Sequence, residues 1–292
     1  MTNTEQPLVS IGIPTYERPE GLRNTLRYMT RQTYPNLEII ISDNCSSGNE
    51  TRAVAEQFIS EYPCIRYFRQ EQNIGVMANF KFVLEKASGE YFMWAADDDE
   101  WESDFVEVCL KNSGPGCSVM TGFVTHYRKS GLRVSNRLPD LKCSSSPYQN
   151  AKNYMNCMQP SLFYGLHKRQ SILFFLSDDF MYFYDCYFIL KVILNGSFRT
   201  LPNDMLYAAG VDADEYVLKH PEPAQKQKLR YWPFYKAVVT LILKSKRVSL
   251  FEKIALIKDI SMGVARLVRF HEKPFLKSSF KGKNVDVIEI EK

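Results

Sequence analysis

The sequence predicts an α/β domain built on a mostly parallel sheet flanked by helices, followed by a C-terminal helical extension. Three observations carry that prediction. Short β-branched runs alternate with amphipathic stretches through the first hundred residues. Each apolar run ends in a polar turn. Beyond about residue 225 the chain becomes basic and its apolar residues recur at helical spacing.

Leu8-Val9-Ser10-Ile11-Gly12-Ile13 reads as a buried strand that stops at Pro14. From Pro19 to Gln32, Leu22, Leu26 and Met29 form a helical stripe. Leu37–Ile41 is a second strand, ending in the turn Ser42–Gly48. A helix over Glu50–Glu61 and a strand over Ile65–Phe68 follow. After the turn Asn73-Ile74-Gly75, a helix carries Val76, Phe80, Val83, Leu84 and Ala87 on one face and stops at Ser88-Gly89. Tyr91–Ala95 is a fourth strand and runs into Asp97-Asp98-Asp99. Loops at the carboxyl ends of parallel strands gather on one edge, where ligands bind. That edge collects Pro14–Glu17, Asp43–Ser47, Asn73–Gly75 and Asp97–Asp99.

The middle of the chain is less regular. Val119–Tyr127 predicts a strand, with a hairpin turn at Lys129-Ser130-Gly131. Leu138–Tyr148, with two prolines and three consecutive serines, predicts a mobile loop. Helical stripes cover Asn150–Met158, Lys168–Leu176 and Tyr184–Leu194, and two short strands, Phe198–Leu201 and Met205–Ala208, are expected after them.

The 292 residues carry a formal charge of +4, too little for a general nucleic-acid binder. The distribution is uneven: residues 225–292 hold +10 and residues 1–224 hold −6. The seven cysteines show no CxxC pair, the N-terminus lacks the pattern of a signal peptide, and no run is long enough to span a membrane. These features predict a reducing, cytoplasmic setting with the cysteines as buried thiols. Leu229–Arg247 mixes aromatics and aliphatics with basic residues, and Leu250, Ile254, Ile257, Val264 and Leu267 mark a second amphipathic helix. Two readings stay open: contact with an anionic membrane surface, where each Lys or Arg contributes about 1 kcal/mol, or packing on the first domain or on a second copy of the chain. No nucleic-acid-binding motif accompanies the charge.

The acidic triplet is the sharpest chemical feature. Adjacent carboxylates fixed at a sheet edge become favourable once a hard dication neutralises them, and Mg²⁺ or Mn²⁺ is typically held by one or two carboxylates plus phosphate oxygens. Asp43 suits hydrogen bonding to a ribose or a base, or an Asx turn. There is no GxGxxG after the first strand and no GxxxxGK[ST], which disfavours dinucleotide oxidoreductases and P-loop enzymes.

The segments Ile11–Arg18, Gln32–Ser46, Asn73-Ile74-Gly75 and Gly89–Asp99, in this order and spacing, resemble family 2 glycosyltransferases. The likeness is dense over residues 8–105, thinner over about 115–210 and absent beyond about 225. It implies the glycosyltransferase A fold and a metal-dependent inverting hexosyl transfer from a nucleotide-diphosphate sugar, most simply a UDP-sugar, to a hydroxyl of a glycan or lipid-linked acceptor. It implies a catalytic domain over 1–224, with a nucleotide-binding half (1–105) and an acceptor half (106–224), followed by the extension 225–292.

Carried over by position, Pro14, Thr15, Tyr16 and Glu17 line the nucleotide pocket. Asp43 reads the base, and Asn73 with Gly75 completes that wall. The family's Asp-x-Asp motif begins here with Ala96, which gives Asp97 to the ribose and Asp98 to Mn²⁺ or Mg²⁺, with Asp99 in support. Tyr184–Lys191 resembles the segment that supplies the general base, which selects Asp185 over Asp178 and Asp179. His220 is a minor candidate metal ligand. A sugar nucleotidyltransferase would carry a Gly-rich basic loop where Thr15–Arg18 stands; a catalytically degenerate nucleotide-sugar-binding protein is the other alternative, resting on Ala96.

Overall fold

The computed structural model describes residues 6–114, 117–127, 133–136, 138–179, 181–209 and 224–272. In chain order the elements are β1 (Val9–Thr15), α1 (Pro19–Met29), β2 (Leu37–Asp43), α2 (Glu50–Glu61), β3 (Ile65–Arg69), α3 (Val76–Lys86), β4 (Tyr91–Trp94), β5 (Asp99–Trp101), α4 (Phe105–Asn112), β6 (Cys117–Tyr127) and β7 (Arg133–Asn136). They continue with α5 (Pro147–Met155), β8 (His167–Lys168), α6 (Arg169–Ile172), α7 (Tyr184–Asn195), β9 (Ser197–Ala209), α8 (Ala224–Lys244) and α9 (Leu250–Glu272). The chain divides into two compact units: Met1–Thr121 with Tyr164–Asp178 and Asp204–Gly210, and Gly122–Phe163 with Asp179–Asn203 and Val211–Lys292.

The first unit is a sheet in the order β3-β2-β1-β4-β8, parallel except for the short antiparallel β8. All of β1 is buried, and so are Ile39, Ile40 and Ile41 of β2, as strands covered on both faces require. The four parallel strands and their helices lie where the apolar runs predict, within three residues at each end. Trp94 closes β4: its ring meets Phe92 and Phe175 at 4.7 and 4.9 Å, and its Nε1 donates to the carbonyl of Phe80 at 3.1 Å. That anchor fixes the point from which the acidic run departs. Beyond it, β5 pairs antiparallel with the end of β9, Trp101 opposite Tyr207.

The second unit is helical around α7, whose Phe188, Ile189, Leu190, Ile193 and Leu194 are all inaccessible. Such a helix is apolar on most of its circumference and must be central. It packs on α5 and α8, and α9 packs on α5 and α8. The backbone of β6 pairs with β7 across Val124–Tyr127, as a hairpin predicts; its turn, Lys129-Ser130-Gly131, lies outside the described residues.

Three expectations are corrected. Leu138–Tyr148 is an ordered segment: Leu138 and Leu141 are buried, and Asn150 bonds both the N–H and the carbonyl of Lys142. Its Ser-Pro pattern is a helix start, with the Ser146 hydroxyl accepting the Gln149 N–H and Pro147 opening α5. The two strands expected over 198–208 are one, β9, because pairing with β5 holds its far end against the turn propensity of Pro202-Asn203. Cys117 and Cys143 are disulfide-bonded, while Cys45, Cys64, Cys109, Cys157 and Cys186 are free; single-sequence spacing does not reveal such a bond. On α9, Leu250 and Ile254 face outward, and Leu256 and Ile260 take the buried side. Among the described residues no helix is long and apolar enough to cross a membrane.

Candidate active site

The carboxyl ends of β1, β2 and β4 bring the predicted loops together within the first unit. Thr15 ends β1, and its hydroxyl donates to Asp97 Oδ2 at 2.8 Å. Pro14 precedes it in the buried strand, and Tyr16 projects into solvent. Glu17 holds a left-handed backbone, φ 56°. Its N–H donates to Ser46 Oγ at 2.8 Å, and its carboxylate accepts the Ser47 N–H at 2.7 Å and the Ser47 hydroxyl at 3.1 Å. A non-glycine residue in that region costs on the order of 1–3 kcal/mol, and such strain clusters at functional sites.

Asp43 is inaccessible. Its Oδ1 accepts the Ser46 N–H at 2.9 Å and its Oδ2 the Tyr67 hydroxyl at 2.8 Å, with Arg69 Nε at 3.9 Å. Burial, then the Asp43 carboxylate, pushes the Tyr67 hydroxyl well above its ordinary range, so it stays a donor. The Asp43 side chain therefore ties the 43–47 loop back onto its own start. Asn73 Oδ1 accepts from Asn44 Nδ2 at 3.0 Å and from the Gly75 N–H at 2.9 Å, while Asn44 Oδ1 accepts the Ile74 N–H at 2.8 Å. Gly75 turns the chain into α3 at φ 84°, a conformation that side chains rarely adopt.

Asp97 and Asp98 stand side by side on Arg18, whose Nη1 donates to Asp97 Oδ1 at 3.1 Å and to Asp98 Oδ2 at 2.8 Å. Burial pushes the Asp97 carboxyl above the usual carboxylate range, against the Thr15 hydroxyl and the Arg18 charge, which favour its ionised form. The loop is seated on α1. Thr25 Oγ1 donates to the Ala96 carbonyl at 3.0 Å, and a Cβ on Gly21 would lie 2.1 Å from the Asp97 carbonyl oxygen. Asp99 turns away into β5. Among the described residues no group of three or more metal-ligating side chains exists. Two adjacent hard-oxygen donors nevertheless fit a dication that draws its remaining ligands from phosphate and water. Arg18 supplies between them the positive charge that such an ion would bring.

Asp185 belongs to the second unit, in the first turn of α7. Its Oδ1 accepts the Cys186 N–H at 2.8 Å. The residue is partly exposed, yet its carboxyl is desolvated, and this raises its pKa against the hydrogen bonds from Cys186. The buried Tyr154 ring and the Cys186 thiol, which reaches the Met158 carbonyl at 3.7 Å, form its surroundings. The α7 N-cap, Phe183, is left-handed at φ 59°, and Met158 is also left-handed at φ 43°. The Phe183 ring stacks on Tyr231 at 5.4 Å and meets Phe234 edge-on at 5.7 Å. At the other end of α7, the Arg247 guanidinium donates to the Gly196 carbonyl. Asp178 offers its carbonyl to Lys81 Nζ at 2.6 Å. His220 lies outside the described residues.

Sequence reasoning missed three residues that organise the edge. Arg18 has a signal, a basic residue one step beyond the first loop. Gly21 has another, a glycine early in a helix. Asn79 has none beyond being a lone polar residue in an apolar stripe; buried, it accepts the Ser42 hydroxyl at 2.6 Å and donates to the Ser42 carbonyl at 3.0 Å and the Thr15 carbonyl at 3.4 Å.

The sequence profile described as Glycosyl transferase family 2 matches residues 10–181, more than half of the chain. The putative teichuronic acid biosynthesis glycosyltransferase TuaG of Bacillus subtilis is 33% identical over 111 residues, covering 38% of this chain and 43% of the relative. The GalNAc(5)-diNAcBac-PP-undecaprenol beta-1,3-glucosyltransferase of Campylobacter jejuni is 30% identical over 117 residues, 40% of this chain and 38% of the relative. The matches thus span less than half of these relatives' length. In fold, S. aureus TarS 1-349 in complex with UDP-GlcNAc superposes with a TM-score of 0.63 at 14% identity, covering 94% of this chain and 76% of that one. The mannosyltransferase PcManGT from Pyrobaculum calidifontis, in complex with GDP-Man and Mn2+, does so with a TM-score of 0.57 at 15% identity, covering 92% and 74%.

Proposed function

Because the chain belongs to glycosyl transferase family 2 and has the glycosyltransferase A fold, we propose that it transfers a hexosyl group, with inversion, from a UDP-sugar to a hydroxyl of a glycan or lipid-linked acceptor, in the cytoplasm at the inner face of a membrane. One observation carries the reading: the Pro14–Glu17, Asp43–Ser47, Asn73–Gly75 and Asp97–Asp98 loops form one hydrogen-bonded edge at the ends of parallel strands. Neighbours solved with UDP-GlcNAc and with GDP-Man and Mn2+ support a sugar nucleotide as donor, and the C. jejuni relative supports a lipid-linked acceptor.

In this reading the backbone and side chains of Pro14, Thr15, Tyr16 and Glu17 flank the nucleotide, with Asp43, Asn73 and Gly75 as its base wall. Asp97, held by Thr15, meets the ribose. Asp98 holds Mn²⁺ or Mg²⁺, an ion that, when bound, supplies positive charge to the diphosphate leaving group. Arg18, which pairs with Asp98 at 2.8 Å, would have to share that carboxylate with such an ion. Asp185 accepts the proton of the acceptor hydroxyl; its desolvated carboxyl is more basic than an ordinary aspartate, which suits that role. The domain boundary near residue 225 is part of the same reading, with the last two helices as an appendage to the catalytic domain.

Titration of UDP, GDP, CDP and ADP with and without Mn²⁺ tests it. The expected result is UDP binding strengthened by Mn²⁺, with the strengthening absent in Asp98→Ala. Failure of every nucleotide diphosphate to bind in a metal-assisted way would leave a degenerate binding fold. Metal dependence that survives in Asp98→Ala would move the ligand role to another residue.

A further inference from the structure

Soluble helices bury one side and wet the other, but α9 is apolar on both. Its inner side buries Leu256 and Ile260 against the second unit. Its outer side begins with Leu250, Phe251 and Ile254, which are 68%, 84% and 59% exposed, and continues through Lys258 to the exposed Met262. Leu250, Ile254, Lys258 and Met262 follow one another at intervals of four residues, with Phe251 three before Ile254, so they form a single stripe. Leu243, 54% exposed at the end of α8, adds to it across the 245–249 turn. Isolated exposed leucines are ordinary, but a contiguous apolar stripe on a helix-turn-helix tip marks an interaction surface.

The charge around the stripe says what covers it. From Leu243 to Lys258 the chain holds Lys244, Lys246, Arg247, Lys253 and Lys258 against Glu252 alone, a balance of +4. Glu252 is already engaged, accepting the Ser249 N–H and hydroxyl at 2.8 Å. Arg247 and Lys253 donate to the carbonyls of Gly196 and Leu243, which pins the tip while their charge remains. Beside the turn, a cavity of about 560 Å³ between α7 and α8 is lined by Lys191, Lys236 and Lys244, with the Thr240 and Ser245 hydroxyls. Lysines converging on a cavity next to an apolar tip match the order of groups in a bilayer of anionic lipids, acyl chains beside phosphates. A second copy of this chain on the same face would set the two lysine clusters against each other.

We propose that the α8–α9 tip docks on an anionic lipid surface, with Phe251, Leu250 and Ile254 entering the headgroup–acyl boundary and the surrounding lysines holding lipid phosphates. The proposal rests on the membrane-side location in the reading above and supplies the residues for it. The tip would keep the chain at the plane where a lipid-linked acceptor presents its sugar.

The experiment is co-sedimentation of the full chain with vesicles of phosphatidylcholine alone and of phosphatidylcholine mixed with phosphatidylglycerol, neither containing acceptor. The chain is expected to bind only the mixed vesicles, and more weakly as salt is raised. Phe251→Ser with Ile254→Ser should reduce that binding about tenfold or more. Lys244→Gln with Lys246→Gln should reduce it and flatten its salt dependence. UDP binding by all variants should equal that of the wild type, which reports an intact fold and keeps this test separate from that of the donor site. No binding of the wild type to mixed vesicles overturns the proposal, as does equal binding by the Phe251/Ile254 variant. Light scattering adds a third way to overturn it: a wild-type dimer that this variant dissolves, without vesicle binding, makes the stripe a contact between copies.

Discussion

The two aspartates expected to matter most, Asp97 and Asp185, are held in opposite ways. Asp97 sits in a lattice of hydrogen bonds: the Thr15 hydroxyl, the Arg18 guanidinium and a backbone seated on Gly21 and Thr25. Asp185 is held locally, by hydrogen bonds from the neighbouring Cys186, and is otherwise placed by burial, by a left-handed N-cap and by an aromatic stack. Burial raises both carboxyls; at Asp97 a hydroxyl and a guanidinium from other elements oppose it, and at Asp185 only local hydrogen bonds do. Binding a diphosphate and its counter-ion calls for the first arrangement; taking a proton calls for the second.

The sharpest way to break the comparison is Asp185→Asn. The amide keeps the acceptor for the Cys186 N–H but cannot take a proton. Transfer, read as UDP release in the presence of acceptor, should fall by about 10²–10⁴-fold, with UDP affinity unchanged. The raised pKa adds an opposite effect on stability. A group whose folded pKa lies above its unfolded value stabilises the fold below the unfolded pKa, and that contribution is lost as pH rises through the folded pKa. At neutral pH the ionised Asp185 is therefore a net cost, and Asp185→Asn should melt higher than the wild type there, with the gain vanishing in acid. Retained transfer, or a lower melting temperature at neutral pH, would remove Asp185 from the role.

On the other side of the comparison, Gly21→Ala should disturb the acidic loop without touching any carboxylate. Its Cβ would meet the Asp97 carbonyl at 2.1 Å, a contact that backbone must move to relieve. Overpacking of this kind costs about 1–3 kcal/mol, visible as a lower melting temperature together with weaker UDP binding. An alanine variant as stable as the wild type would show that the loop floats free of α1.

How much of this was legible follows from what periodicity can encode. Strands β1–β4 and their helices are written in local pattern, so the sheet edge and its loops follow from the sequence alone. Leu138–Tyr148 is ambiguous in sequence because Ser-Pro serves loops and helix starts alike, and only the Asn150–Lys142 bonds decide between them. Which side of α9 meets protein is not legible, because a helix apolar on both sides gives no sign of it. Asn79 and Tyr67 act through contacts with residues 37 and 24 positions away, a distance at which sequence pattern carries no signal. The Cys117 and Cys143 disulfide bonding was invisible for the same reason.

The smallest effect tests the half of the comparison that depends on packing alone. If the Phe183–Tyr231 stack holds the start of α7, then loosening it should admit water to Asp185 without removing any group that touches substrate. Tyr231→Leu keeps most of the buried volume and gives up the ring contact, worth about 0.5–1.5 kcal/mol. Better solvation lowers the pKa of a desolvated carboxyl. Since transfer needs the ionised form, the acidic limb of the kcat–pH profile should lie above the ordinary aspartate range in the wild type and move to lower pH in Tyr231→Leu. Tyr231→Phe, which preserves the stack, should leave the limb in place. A merely structural role would lower kcat at all pH values alike, so a uniform loss with an unmoved limb would show that the aromatic anchor supports the fold but does not set the basicity of Asp185.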